Sequence, residues 1–204
     1  MYLYPLWVRI WHLFNALLII ILILTGTLMQ FTGHDNQMLI AFYPGSLRMH
    51  NICSIILTVS YMVFIAGNLI SDNGKHYKLR QGDLFPGSAI QLKYLLWGMF
   101  RKEKIPFPVT GDNKFNPLQK IIYFLVMYAA MPLLILSGII MFLPDMDIIR
   151  VAGQRFYIFT DILHIVTGFV ISVFLVFHIY SCTISSKPGA VLRSIISGYR
   201  ETEE

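Results

Sequence analysis

Four histidines stand inside apolar stretches: His12 in "WVRIWHLFN", His50 in "SLRMHNIC", and His164 and His178 at the two ends of "HIVTGFVISVFLVFH". Lipid excludes a polar ring unless something offsets its burial, so each of them asks for a role. Fourteen residues of helix advance about 21 Å and turn about 1400°, leaving His164 and His178 about 40° apart on one face. They share a face and differ in depth. On helices that alternate in direction, His12 matches His178 in depth, and His50 matches His164. A six-coordinate b-type haem takes two imidazoles that face one another from different helices at one depth. Two such pairs exist. The predicted ligands are therefore His12 with His178 for a cytoplasmic-side haem and His50 with His164 for an outer-side haem. Zinc binds its ligands at about 2 Å from a single centre, which pairs at opposite depths cannot share.

The elements that must carry these residues follow from composition. The chain has 204 residues, 56% hydrophobic and 13% charged, with a mean hydropathy of +0.63. Those values exclude an ordinary soluble domain. Charge-free windows run from Ile10 to His34, Met49 to Ser71, Ile121 to Pro144 and Ile162 to Ser186. Each is long enough to cross about 30 Å of hydrocarbon as helix. Barrel strands alternate apolar and polar residues, and "NALLIIILIL" does not. The sequence predicts one all-α domain over 1–204, an integral membrane four-helix bundle with helices at 10–31, 49–71, 118–143 and 158–183. The first span has neither a basic run before it nor a small-residue cleavage site after it, so it is expected to be retained. Cys53 and Cys182 lie in different helices near opposite faces and predict no disulfide. There is no C-x-x-C-H for covalent haem and no cysteine cluster for an iron-sulfur centre.

Basic residues set the expected orientation. Arg9, nine Lys or Arg between Lys75 and Lys120, and Lys187, Arg193 and Arg200 fall on one side; Arg48, Arg150 and Arg155 fall on the other, with Asp35, Asp145, Asp147 and Asp161. Thirteen against three places both termini and the central loop in the cytoplasm. The net charge of +5 is mostly this asymmetry, and points to anionic lipid rather than nucleic acid. Within the loop, Ser88 to Lys102 follows a Pro-Gly break with Ser88 as a cap. Ile90, Leu92, Leu95, Leu96, Met99 and Phe100 form its apolar side, leaving Gln91, Lys93, Arg101 and Lys102 for headgroups. An amphipathic helix in the cytoplasmic interface is expected.

Around the histidines, Arg9 and Arg48 lie close enough in sequence to His12 and His50 to pair with haem propionates. Gly26 lies fourteen residues beyond His12, at the depth of the outer haem, where a missing side chain would admit the macrocycle. Gly138 and Gly168 are candidates for the same role or for close helix packing. Pro132 should kink the third helix. His34 and His76 read as surface residues of the loops.

These residues resemble the bacterial cytochrome b subunits that anchor nickel-iron hydrogenases, the gamma subunit of respiratory formate dehydrogenase and the thiosulfate reductase membrane subunit. The resemblance runs through "RIWHLFNALLIIILILTG", "RMHNI", "KFNPLQK" and "HIVTGFVISVFLVFHIY", and its specific part is the histidine pattern. It implies a multi-pass subunit of the bacterial cytoplasmic membrane with two b haems, exchanging electrons with a ubiquinone or menaquinone pool. It also implies partners at the outer face: an iron-sulfur or other electron-transfer subunit, and a catalytic subunit of hydrogenase or molybdopterin-oxidoreductase type that holds the primary substrate site. By the same resemblance the quinone site lies near the cytoplasmic haem, at Asn116 with Gln119 beside it, both able to donate to a carbonyl. Locally, Asn116 and Pro117 read as a helix cap and first turn. Asp112 and Lys114 read as solvated charges beside that site. The rival reading is a cofactor-free, proton-coupled transporter that uses the histidines as relays, and it predicts colourless protein.

Overall fold

The computed structural model describes residues 1–32, 37–111, 113–143, 150–151, 154–183 and 189–200, without the side chains of 37, 38, 151 and 154. His34 and Asp112 lie outside the described residues. The fold is all-α, and the described residues include four helices long and apolar enough to cross a membrane. Helix one spans Leu6–Gln30, helix two Gln37–Ile70, helix three Pro117–Met141 and helix four Phe156–Thr183. A two-residue antiparallel pairing, Arg150 with Arg155 and Val151 with Gln154, leads into helix four.

Helix two starts well before the expected 49, and the reason is physical. Arg48 ends the charge-free window, but a long cationic side chain near a helix end can reach outward without ending the helix. Pro44 lies inside and removes only one backbone donor. In helix three, Val126–Ala130 widens into a π turn closed by the Met131 amide on the Val126 carbonyl. Pro132 follows, with no N–H of its own and a ring that would crowd the Tyr128 carbonyl in a regular helix. The wide turn accounts for the expected irregularity.

Two compact units form, each from separated stretches of chain. One comprises residues 6–66 and 133–176. Its outward residues are apolar, as Leu24, Val59 and Phe169 show at 59%, 61% and 69% exposure, whereas its buried positions include Asn15, Ser60, Thr25 and Ser137. That arrangement suits lipid as solvent. Helices one and two are tied by Trp11, whose indole donates to the Ser60 carbonyl at 2.9 Å and stacks on Phe64 at 4.4 Å. The Asn15 amide donates to the Ser60 hydroxyl at 2.7 Å.

The other unit comprises 1–5, 67–132 and 177–204. Its two chain ends pair directly: the Met1 ammonium donates to the Arg200 carbonyl and the Arg200 amide to the Met1 carbonyl, both at 2.9 Å. They therefore lie on one side, as an even number of spans requires. The loop helix covers Ser88–Lys93 and continues as a π turn, Tyr94–Gly98. Leu96, Trp97 and Phe100 face outward at 53%, 59% and 76% exposure, an apolar face presented as an interfacial helix presents it. Gln91 is a correction: it is buried, because the side opposite the apolar face packs onto the first turns of helix three. Ser88 is no cap either, since its hydroxyl donates to the Leu84 carbonyl. The loop is fastened by Lys120 and Asp83, both buried, 3.4 Å apart.

Candidate cofactor site

Helix two carries His50 and helix four carries His164, and their rings meet inside one unit with centroids 6.3 Å apart and planes crossed at 71°. An imidazole nitrogen binds a first-row metal at about 2.0 Å and lies about 1.1 Å from its ring centre, so two axial imidazoles have centroids about 6.2 Å apart. The observed spacing fits an iron between them. Among the described residues no group of three His, Cys, Asp or Glu forms a metal site. A metal held here must bring its remaining ligands with it, as a porphyrin does.

Each ring is held from behind by a neighbouring helix. Thr25 Oγ1 on helix one lies 2.9 Å from His50 Nδ1, and Ser137 Oγ on helix three lies 3.0 Å from His164 Nδ1. A Cβ built on Gly26 would lie 3.4 Å from His50 Cε1, and one on Gly138 3.2 Å from His164 Cε1. Gly26 thus lies beside His50 and backs its ring. Gly138 does the same for His164. Gly168 makes an ordinary packing contact, with its Cβ position 3.8 Å from Leu134 Cδ1. Sequence reading passed over Thr25 and Ser137. Both precede a glycine, Thr25-Gly26 and Ser137-Gly138, but Thr167-Gly168 on helix four shares that pattern, so sequence alone could not single them out.

His12 lies on helix one, in the unit that contains His50 and His164; His178 lies on helix four, in the other unit. His12 sits next to Trp11, whose bond to Ser60 fixes this turn of helix one. His178 Nδ1 lies 3.5 Å from the Tyr123 hydroxyl on helix three, and the rings meet edge to face at 5.9 Å. Phe115 packs on Tyr123 at 4.9 Å. Tyr123 is another residue the sequence did not single out. Arg9 is partly buried on helix one, and Arg48 is exposed on helix two.

Helix three begins with a full capping box. Asn116 Oδ1 accepts from the Gln119 amide at 2.8 Å, and Gln119 Oε1 accepts from the Asn116 amide at 3.2 Å. The cap occupies both side-chain oxygens and leaves the two NH2 groups as donors.

Beside it, two expectations are corrected. His76 and Lys114 are not surface groups: they are 5% and 7% exposed. Both line a cavity of about 260 Å³ with Tyr2, Ser71, Asp72 and Lys75. The N-terminal segment, through Tyr2, Leu3 and Pro5, and the turn Asp72–Tyr77 line the same cavity, which a loop reading could not foresee. Lys114 Nζ donates to Asn73 Oδ1 at 3.3 Å and lies 5.9 Å from the centre of the Tyr4 ring. From there a ladder of amides runs inward: Asn73 Nδ2 donates to Asn68 Oδ1 at 2.8 Å, and Asn68 Nδ2 to the Tyr128 hydroxyl at 3.4 Å. Burial, and then the charge of Lys75, push the Lys114 ammonium below its ordinary value of 10.5. Burial also pushes the Tyr77 phenol well above its usual range.

A family model described as prokaryotic cytochrome b561 matches residues 3–198. The protein named "Putative cytochrome YdhU" from Escherichia coli (strain K12) is 34% identical over 198 residues, covering 97% of this chain and 74% of that protein. No solved structure matches the chain.

Proposed function

We propose, given that this chain belongs to the prokaryotic cytochrome b561 family, that it is a di-haem b electron-transfer anchor passing electrons between an outer-face redox partner and the quinone pool. Family membership makes it a multi-pass protein of the bacterial inner membrane and implies haem b. The observation that carries the finer reading is the pair His50 and His164, crossed at an axial-ligand spacing with each Nδ1 tied to a neighbouring helix.

His50 and His164 would hold one haem, and His12 and His178 the other. Bound there, haem b supplies reversible one-electron iron chemistry. The chain's own residues do the remaining work. The histidines orient, the hydroxyls of Thr25 and Ser137 hold the ligand rings, and apolar exterior faces keep water out. Arg9 and Arg48 offer guanidinium groups to propionates. Asn116 and Gln119, with their oxygens committed to the cap, present amide donors to a quinone carbonyl. With the basic loop and both termini in the cytoplasm, this quinone site draws protons from that side and the partner subunits dock on the other.

The test is the haem content of the purified full chain. Pyridine haemochrome analysis should give two b haems per polypeptide, reduced by quinol. Colourless protein would overturn the reading and favour a proton-coupled transporter.

A further inference from the structure

We propose that Thr25 and Ser137 are positioning residues for the haem between His50 and His164, keeping both Nδ1–H groups hydrogen-bonded and the two imidazole planes crossed. The inference rests on the haem reading above and goes further, to what sets the electronic character of one centre.

Proton accounting gives each bond its direction in this proposal. The Thr25 hydroxyl donates to the Ile21 carbonyl at 2.8 Å, with the Leu22 carbonyl at 3.2 Å, and the Ser137 hydroxyl donates to the Leu134 carbonyl at 3.0 Å. A hydroxyl has one proton, and in both residues the helix backbone takes it. With that proton on the backbone, the oxygen meets the imidazole as an acceptor, 2.9 Å from His50 Nδ1 and 3.0 Å from His164 Nδ1, and the Leu22 and Leu134 carbonyls lie beside the same rings as second acceptors. Nδ1 then carries the ring proton in both histidines, and the Nε2 lone pair is the one left for a metal. The glycine after each hydroxyl lets the Nδ1–Cε1 edge approach the helix backbone, with Cε1 within 3.4 Å of the Cβ position at Gly26 and 3.2 Å at Gly138. The two clamps share a hydroxyl bonded to its own helix and a following glycine, yet come from different helices. Both hydroxyls are buried in apolar surroundings, Thr25 at 8% and Ser137 at 1% exposure, where valine or alanine would suit packing alone.

Two consequences follow for the iron. An acceptor on Nδ1–H pushes electron density into the ring, makes Nε2 a stronger donor and favours the ferric state. The direction of each acceptor also fixes rotation about the Nε2–metal axis, here with the planes 71° apart. Crossed axial planes give low-spin ferric haem a single large-g signal, whereas parallel planes give a rhombic spectrum.

The experiment uses the full-length protein with potentiometric titration and electron paramagnetic resonance on T25V, T25S and S137A. T25V and S137A should each raise the midpoint potential of one haem, move its large-g signal toward a rhombic spectrum, and leave the second haem unchanged. T25S should restore both properties. Loss of one haem in T25V that is recovered in T25S also supports the proposal; an equal loss in T25S, which keeps the hydroxyl, overturns it. Two haems with unaltered potentials and spectra in T25V and S137A also overturn it. H50A and H164A separate the levels: if each loses one haem while T25V and S137A change nothing, the hydroxyl inference alone fails. Two haems retained in H50A and H164A would sink the ligand assignment beneath it.

Discussion

Gly138 and Gly26 back the rings of His164 and His50 at distances that predict different tolerances. A methyl at Gly138 would lie 3.2 Å from His164 Cε1, tighter than an ordinary contact, so G138A should displace the ring and lower occupancy of that haem. At Gly26 the distance is 3.4 Å, and G26A should retain a normal spectrum. Optical spectra of the two purified variants check the contrast. Lys114 gives a prediction of a different kind. Its ammonium is pushed below 10.5 in the folded chain, so the unfolded chain holds the proton more tightly. Stability should therefore rise with pH between the lowered value and 10.5. K114M should lack that rise, and thermal unfolding of both proteins across the window measures the difference. The histidines were legible because a polar ring in a charge-free run has few reasons to be there. Thr25 and Ser137 were not, because hydroxyls in membrane helices commonly satisfy their own backbone, and here they do so as well.

The start of helix three joins two tasks that substitution can separate. Asn116 caps the helix through its oxygen and keeps an NH2 group in reserve. N116D preserves the cap but not the donor, and should slow quinol-dependent haem reduction with little change in melting temperature. N116A loses both and should also cost about 1 kcal/mol of stability. Equal activity in N116D and the parent would remove Asn116 from the quinone site. The loop is held to this helix by Lys120 and Asp83, a buried pair. K120A would strand a buried carboxylate and should destabilise by about 3 kcal/mol, whereas K120M with D83N should cost less. The number of long apolar helices was readable from hydropathy. The early start of helix two was hidden by Pro44 and Arg48, two residues that mark boundaries in solution but are tolerated near the end of a long membrane helix. The burial of Lys114 and His76 was hidden as well, because residues that line their cavity come from the far end of the chain.

For the whole molecule, pairing of Met1 with Arg200 brings the described chain ends together, and the excess of basic residues is the ground for expecting that side in the cytoplasm. In the proposed function the catalytic partner and its substrate belong to other subunits, and this chain contributes a pair of one-electron centres at two depths, linking chemistry on one face to quinone on the other. The ligand set is the claim on which that function depends. It is tested most directly by reduced-minus-oxidised spectra, with haem counted per chain, for H164A and H178A beside the parent. Each variant should keep one b haem of the parent's two, and the haems kept should differ in midpoint potential. Two haems in both variants, or none in the parent, would contradict the assignment.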